Sequence, residues 1–193
     1  MKSDIHAAAT PDFAAPAPAN PFTAAEVAEI LREKGWLPAS DTIAAESRDA
    51  MDAWLARAAE LLGPQSKDRE ALAALLELVF QFDAVAALRR PENHEVLARE
   101  GAREVIRELA NRVLEGGDID SDRFKEIIEE MKKTVPYRSR AMFHPIRLAL
   151  VGRAGEGELD RVILLLDPAT KLPVDTKVKG TRQRILEFCA ALD

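Results

Sequence analysis

The chain has 193 residues, is 47% hydrophobic and 31% charged, and carries a net charge of −6 at pH 7. That balance supports a buried core under a solvated surface, in one ordinary domain or two small ones packed together, and it argues against broad, non-specific nucleic-acid binding. A lone Cys189 excludes an intrachain disulfide; with no apolar run of 18 residues and no secretory h-region, no membrane partner is expected and the cytoplasm is the expected location.

Aromatic residues are only 5% of the chain, and Ala and Leu abound, which favours helices over sheets. Residues 1–21 are rich in Ala and Pro without a period and read as a disordered leader. Thr23 and Glu26 form a capping box that opens a first helix, closed by Gly35. A second helix is expected from Asp41 or Thr42 to Leu62, with Met51, Trp54, Leu55, Ala58, Leu61 and Leu62 inward. A third runs from Ser66 to about Leu88, a fourth from Glu92 to Leu114, and a fifth from Ser121 to Met131. A short helix over 145–151 follows, with Pro145 at its first position and Gly152 just past its end. Glu158–Leu166 and a last helix from Gly180 or Thr181 to Leu192 complete the chain. No stretch alternates with period 2. The fold class is all-α, about eight helices as a bundle or cage of two packed subdomains, 22–117 and 118–193. The seam lies near Gly116–Ser121.

Charge is unevenly spread. Residues 131–193 carry +5 and the preceding 130 carry −11. Within the basic third, Arg138, Arg140, Arg147 and Arg153 flank His144 with no acid among them. Cations at a helix entrance oppose the macrodipole, so an anionic partner is expected there. Lys171, Lys177, Lys179, Arg182 and Arg184 read as a solvated basic end. Tyr137 and Phe143 favour core packing over base stacking.

Other chemistry is missing from the sequence. There is no GxGxxG, no GxxxxGK[ST], no HExxH and no CxxC. His6, His94 and His144 lack metal-ligand spacing, so neither metal nor cofactor is expected. His94 reads as a capping or solvated residue, and Cys189 as a buried structural thiol. No catalytic residue is assigned.

At MFHPIRLALVGRAGEGELDRVILLL, Met142 to Leu166, the chain resembles the C-terminal anticodon-binding region of glutamyl-tRNA synthetase, a class I aminoacyl-tRNA synthetase. That family commonly reads LF-x-P-[LI]-R-x-ALTG, a short loop often containing Gly-Pro, then E-L and an apolar helix. Phe143, Pro145, Ile146, Arg147, Ala149, Leu150, Gly152, Glu158 and Leu159 match in order. DSDRFKEIIEEMKKTV resembles the helix before this segment, and AEILREKGW and AWLARAAELLGP more faintly resemble the first helical subdomain.

The resemblance implies a helical cage that grips a tRNA anticodon loop. Arg147 matches an arginine that contacts an anticodon base. His144 and Pro145 line the same pocket, and Gly155 to Leu159 matches the loop that closes over neighbouring nucleotides, which makes Leu159 a base-contacting candidate. Lys132, Lys133, Arg138, Arg140 and Arg153 would hold phosphates and set register. Single-stranded loops expose base edges and faces, and arginine can hydrogen-bond the first and stack on the second.

Departures accompany the match. Val151 stands where the pattern has Thr, and Glu156-Gly157 where it has Gly-Pro. A basic position expected after the second helix falls in Pro64-Gln65-Ser66. The HIGH-type and KMSKS-type ATP motifs do not occur in the sequence. The resemblance, without those motifs, leads to the expectation of a stand-alone tRNA-binding protein that does not charge tRNA by itself. The alternatives are a protein-interaction module, docking on a synthetase or another protein, and one half of a split or decayed glutamate–tRNA ligase.

Overall fold

A computed structural model describes residues 20–38, 45–174 and 176–193. The expected disordered leader over 1–21, but for Asn20 and Pro21, and the expected helix start at Asp41 or Thr42 lie outside the described residues. Ten α-helices occur among the described residues, and no strand. They are α1 (Ala24–Glu33), α2 (Ala45–Leu62), α3 (Arg69–Phe80), α4 (Ala84–Arg89), α5 (Pro91–Leu97), α6 (Ala102–Glu115), α7 (Ser121–Thr134), α8 (Arg140–Val151), α9 (Glu158–Ala169) and α10 (Thr181–Leu192).

Several ends follow local rules. In α1 the Glu26 amide donates to Thr23 Oγ1 and the Thr23 amide donates to Glu26 Oε2, the reciprocal box that satisfies two orphan donors. The α3 cap is Asp68, not Ser66, because the Ser66 hydroxyl donates to the Leu62 carbonyl at 2.8 Å.

The third and fourth expected helices each divide in two. Gln81 is extended, and Asp83 accepts from the Ala86 amide at 2.9 Å, starting α4 afresh. Between α5 and α6, Gly101 takes φ +80°, and the Tyr137 ring lies where its Cβ would be. The apolar pattern runs through both breaks, which is why periodicity alone joins the pieces. Asp167 and Pro168 do not end α9, which continues to Ala169.

Helix α9 is central. Val162, Ile163, Leu165 and Leu166 are fully buried, and α2, α3 and α8 pack around it. The Trp54 indole donates to the Leu165 carbonyl at 3.2 Å, tying α2 to α9. Trp36 stacks on Phe80 at 5.1 Å and Trp54 meets the same ring edge-on at 5.8 Å. The buried cluster runs from Val27 to Phe188, and residues on both sides of the expected Gly116–Ser121 seam contribute to it. Asp167 ties the segment before α7 to the start of α10. Its carboxylate accepts from the Ile119 amide and from the Thr181 amide and hydroxyl, each at 2.7 Å.

Arg184 departs from the expected solvated basic end. It is fully buried and donates to the carbonyls of Leu78, Val79, Leu150 and Lys179. Three of those carbonyls belong to the last turns of α3 and α8, where backbone acceptors lack helical partners. Burial pulls its pKa down to about 9, so it remains charged at neutral pH. Lys179 is also drawn in, donating to Glu187 at 2.6 Å and to the Phe82 carbonyl at 3.1 Å.

Candidate nucleic-acid interface

Helix α8 begins at Arg140, not at Pro145. The Met142 and Phe143 amides reach back to the Ser139 carbonyl at 3.1 and 2.9 Å, so the first turn closes before the proline. Pro145 then removes one interior hydrogen bond near the helix start. The longer helix has a consequence for the site. Spacings of three and four place Arg140, His144 and Arg147 on one face, whereas a helix from Pro145 would leave the first two in a loop.

Arg147 is the centre of this face, and it is already engaged. Its Nε and Nη2 donate to the two Asp160 carboxylate oxygens at 2.7 and 2.8 Å, and Nη1 donates to the Gly155 carbonyl. The guanidinium lies over the Phe143 ring, 5.2 Å from its centroid. Its side chain is only 8% exposed, against 25% for Asp160. This fork-to-fork pair joins α8 to α9 and holds the intervening loop. Phe143 and Tyr137 are half-buried against the core, as expected.

The loop has a second anchor. Gly152, at φ +80°, ends α8. Asn93 of α5 is fully buried; its Nδ2 donates to the carbonyls of Ala87 at 2.8 Å and Gly152 at 3.3 Å, and its Oδ1 accepts from the Ala154 amide at 3.4 Å. Leu159 is buried and packs against Gly155. Pro145 is buried within α8.

The remaining cations divide by what they touch. Arg138 donates to the carbonyls of Lys132, Val135 and Tyr137, so it closes the C-terminal end of α7. Lys132 pairs with Glu129 at 2.6 Å. Arg140 pairs with Glu156 at 3.0 Å, both largely exposed. Lys133 and Arg153 are exposed.

His144 is half-buried in this cationic setting. Burial and the charges of Arg99, Arg147 and Arg140 hold its pKa below the usual value, opposed only by Glu156. Arg99, in the turn between α5 and α6, has Nη1 3.4 Å from His144 Nδ1. His94 is turned the other way, with Nε2 2.7 Å from the Leu88 carbonyl.

The structure thus gathers Arg140, His144, Arg147 and Leu159 at one end of α8 and α9. Arg138, beyond the end of α7, instead folds back onto that helix's last turn. Asn93, Asp160 and Arg99 complete the arrangement and were not singled out from the sequence. Nothing local marks Asn93, and Asp160 reads as an ordinary first-turn acid until its partner thirteen residues earlier is known. Cys189 is half-buried rather than buried, and burial raises its thiol pKa. Among the described residues no group of His, Cys, Asp and Glu is assembled as a metal site, and no helix is long and apolar enough to cross a membrane.

The chain is 30% identical over 95 residues to a glutamate–tRNA ligase from Sulfurihydrogenibium sp. (strain YO3AOP1). That match covers 49% of this chain and 18% of the ligase, so the chain spans less than a fifth of that relative. No solved structure matches it. The family model described as anticodon binding domain matches residues 23–170, from the capping box of α1 to the end of α9. The chain belongs to the anticodon binding domain family.

Proposed function

We propose that this chain binds the anticodon arm of a transfer RNA, a glutamate-accepting tRNA foremost, through α8, the loop after Gly152 and the start of α9. The observation that carries the reading is family membership over residues 23–170. The basic face of α8, in a chain that is net negative overall, supports it. So does its similarity to a glutamate–tRNA ligase. Charging of tRNA is outside the proposal, since the ATP motifs do not occur in these 193 residues. A synthetase or separate catalytic subunit as partner fits the same reading. Residues 118–193 form the RNA-facing subdomain in it and residues 22–117 the supporting one.

The candidates divide into one base reader, a wall around it and a set of phosphate holders. A guanidinium has five N–H donors, and three of those of Arg147 go to Asp160 and Gly155. The two that remain belong to a side chain only 8% exposed, so in this reading a flipped-out base reaches them through the narrow opening left beside Asp160. His144, Pro145 and Leu159 shape the wall around that base. Lys132, Lys133, Arg140 and Arg153 hold phosphates, while Arg138 contributes charge more than hydrogen bonds.

Equilibrium binding to tRNA-Glu and to an unrelated tRNA, across a salt series, tests the proposal. Preference for tRNA-Glu with a negative salt slope is expected. Equal, undetectable binding to both at low salt would sink it. Arg147→Ala should cost about 1–3 kcal/mol of binding and relax the preference.

One observation favours a second reading, a protein-docking module: Glu156 and Asp160 already neutralise Arg140 and Arg147. Recovery of a synthetase partner that survives RNase treatment would support it, and RNase-sensitive recovery would count against it.

A further inference from the structure

We propose that Arg99, in the turn between α5 and α6, is a phosphate-contacting residue of this face, acting together with Arg140 once RNA displaces Glu156 from it. The inference rests on the RNA-binding reading above and adds to it a residue and an exchange that the resemblance does not contain.

The geometry begins with a proton. Arginine only donates hydrogen bonds, so the Arg99 Nη1 contact at 3.4 Å makes His144 Nδ1 the acceptor. The imidazole is then in the tautomer with its hydrogen on Nε2. That Nε2–H is sealed from solvent and has no hydrogen-bond partner in the structure. A buried donor without an acceptor is costly, and this one lies among three arginines.

That donor is sealed, so an incoming anion meets the charges around it instead. Arg99 is exposed, and none of the ion pairs among the described residues involves it. Arg147 is committed to Asp160. Arg140 is held by Glu156 alone, at 3.0 Å, with the two side chains 73% and 64% exposed. Exposed pairs of this kind are weak. A phosphate oxygen offers what the carboxylate offers, and it arrives with neighbouring phosphates that carry the same charge. When Glu156 leaves Arg140, that guanidinium and the exposed one of Arg99, both close enough to His144 to lower its pKa, present two positive charges to the RNA backbone. The local anion was visible in the sequence as the acid in place of the family's Gly-Pro; the structure gives that acid a partner.

The test uses the full chain, an anticodon stem-loop hairpin, and binding measured across a salt series. One phosphate contact contributes about 0.7–0.9 to the slope of log affinity against log salt. At 0.1 M salt that is roughly a fivefold to eightfold effect. Arg99→Ala should lower the slope and the affinity by those amounts with circular dichroism and melting temperature unchanged, and Arg99→Lys should restore the slope, since a point charge suffices for phosphate. Glu156→Gln should tighten binding. If the unaltered chain binds the hairpin and Arg99→Ala leaves both slope and affinity intact, this inference is overturned and the RNA reading stands. If the unaltered chain does not bind at all, both fall. Equal competition by polyglutamate and by RNA, charge for charge, would overturn the assignment to phosphate.

Discussion

Removing the Asp160 carboxylate by Asp160→Ala isolates the bond that organises the interface. Arg147 is 8% exposed at its side chain and has both carboxylate bonds in fork geometry. Without Asp160 a nearly buried cation keeps only the Gly155 carbonyl and the Phe143 ring as partners. Breaking a fully buried pair from one side costs about 3–5 kcal/mol. Asp160 is 25% exposed, so water can enter part of the vacated space, and the cost is discounted to about 2–3 kcal/mol. Arg147→Met should cost less, because it leaves a carboxylate that can hydrate and an apolar side chain over Phe143. The double variant should cost less than the sum, with a coupling of at least about 1 kcal/mol. Urea unfolding followed by circular dichroism measures all four corners. An Asp160→Ala cost below about 0.5 kcal/mol, or additive single effects, would refute the view that this pair fixes the loop.

Three other outcomes are expected. Gly101→Ala places a Cβ at φ +80° and against the Tyr137 ring; a loss of about 2 kcal/mol or more in urea unfolding is expected, and Tyr137→Ala in the same chain should recover part of it. His144 has a folded-state pKa below its ordinary value, so the folded state binds fewer protons than the unfolded one below about pH 6.5. Its contribution is therefore held above that pH and lost as the pH falls through the folded-state pKa; stability measured at pH 7 and pH 5 should fall less for His144→Gln than for the unaltered chain. Arg184→Met leaves the four carbonyls of Leu78, Val79, Leu150 and Lys179 without this donor and should cost about 3 kcal/mol or more, with Arg184→Lys a poor substitute because a single ammonium cannot span them.

Much of the fold was legible in the residue order because the signals are local. The Thr23–Glu26 box, the Gly152 stop and the apolar faces of α7 and α9 act within a turn or two. The errors arose where a local rule had two uses. Pro145 is common at a first helical position, yet here the preceding turn closes on Ser139. Asp83 and Gly101 were both available as breaks, but a continuous apolar pattern masked them. The candidate site was legible only as a list. Arg147 and its basic neighbours stood out by composition and resemblance, whereas its pairing with Asp160 depends on how α8 and α9 cross. The burial of Arg184 likewise arises from helix ends about a hundred residues away in α3, convergence that no window of sequence can display.

Titration of the full chain with an anticodon stem-loop of tRNA-Glu, alongside the same hairpin with its anticodon bases replaced, tests the central claim most directly. The account predicts tighter binding to the unaltered loop, by a margin that shrinks in Arg147→Ala. Identical affinity for the two hairpins, with Arg147→Ala indistinguishable from the unaltered chain, would contradict it.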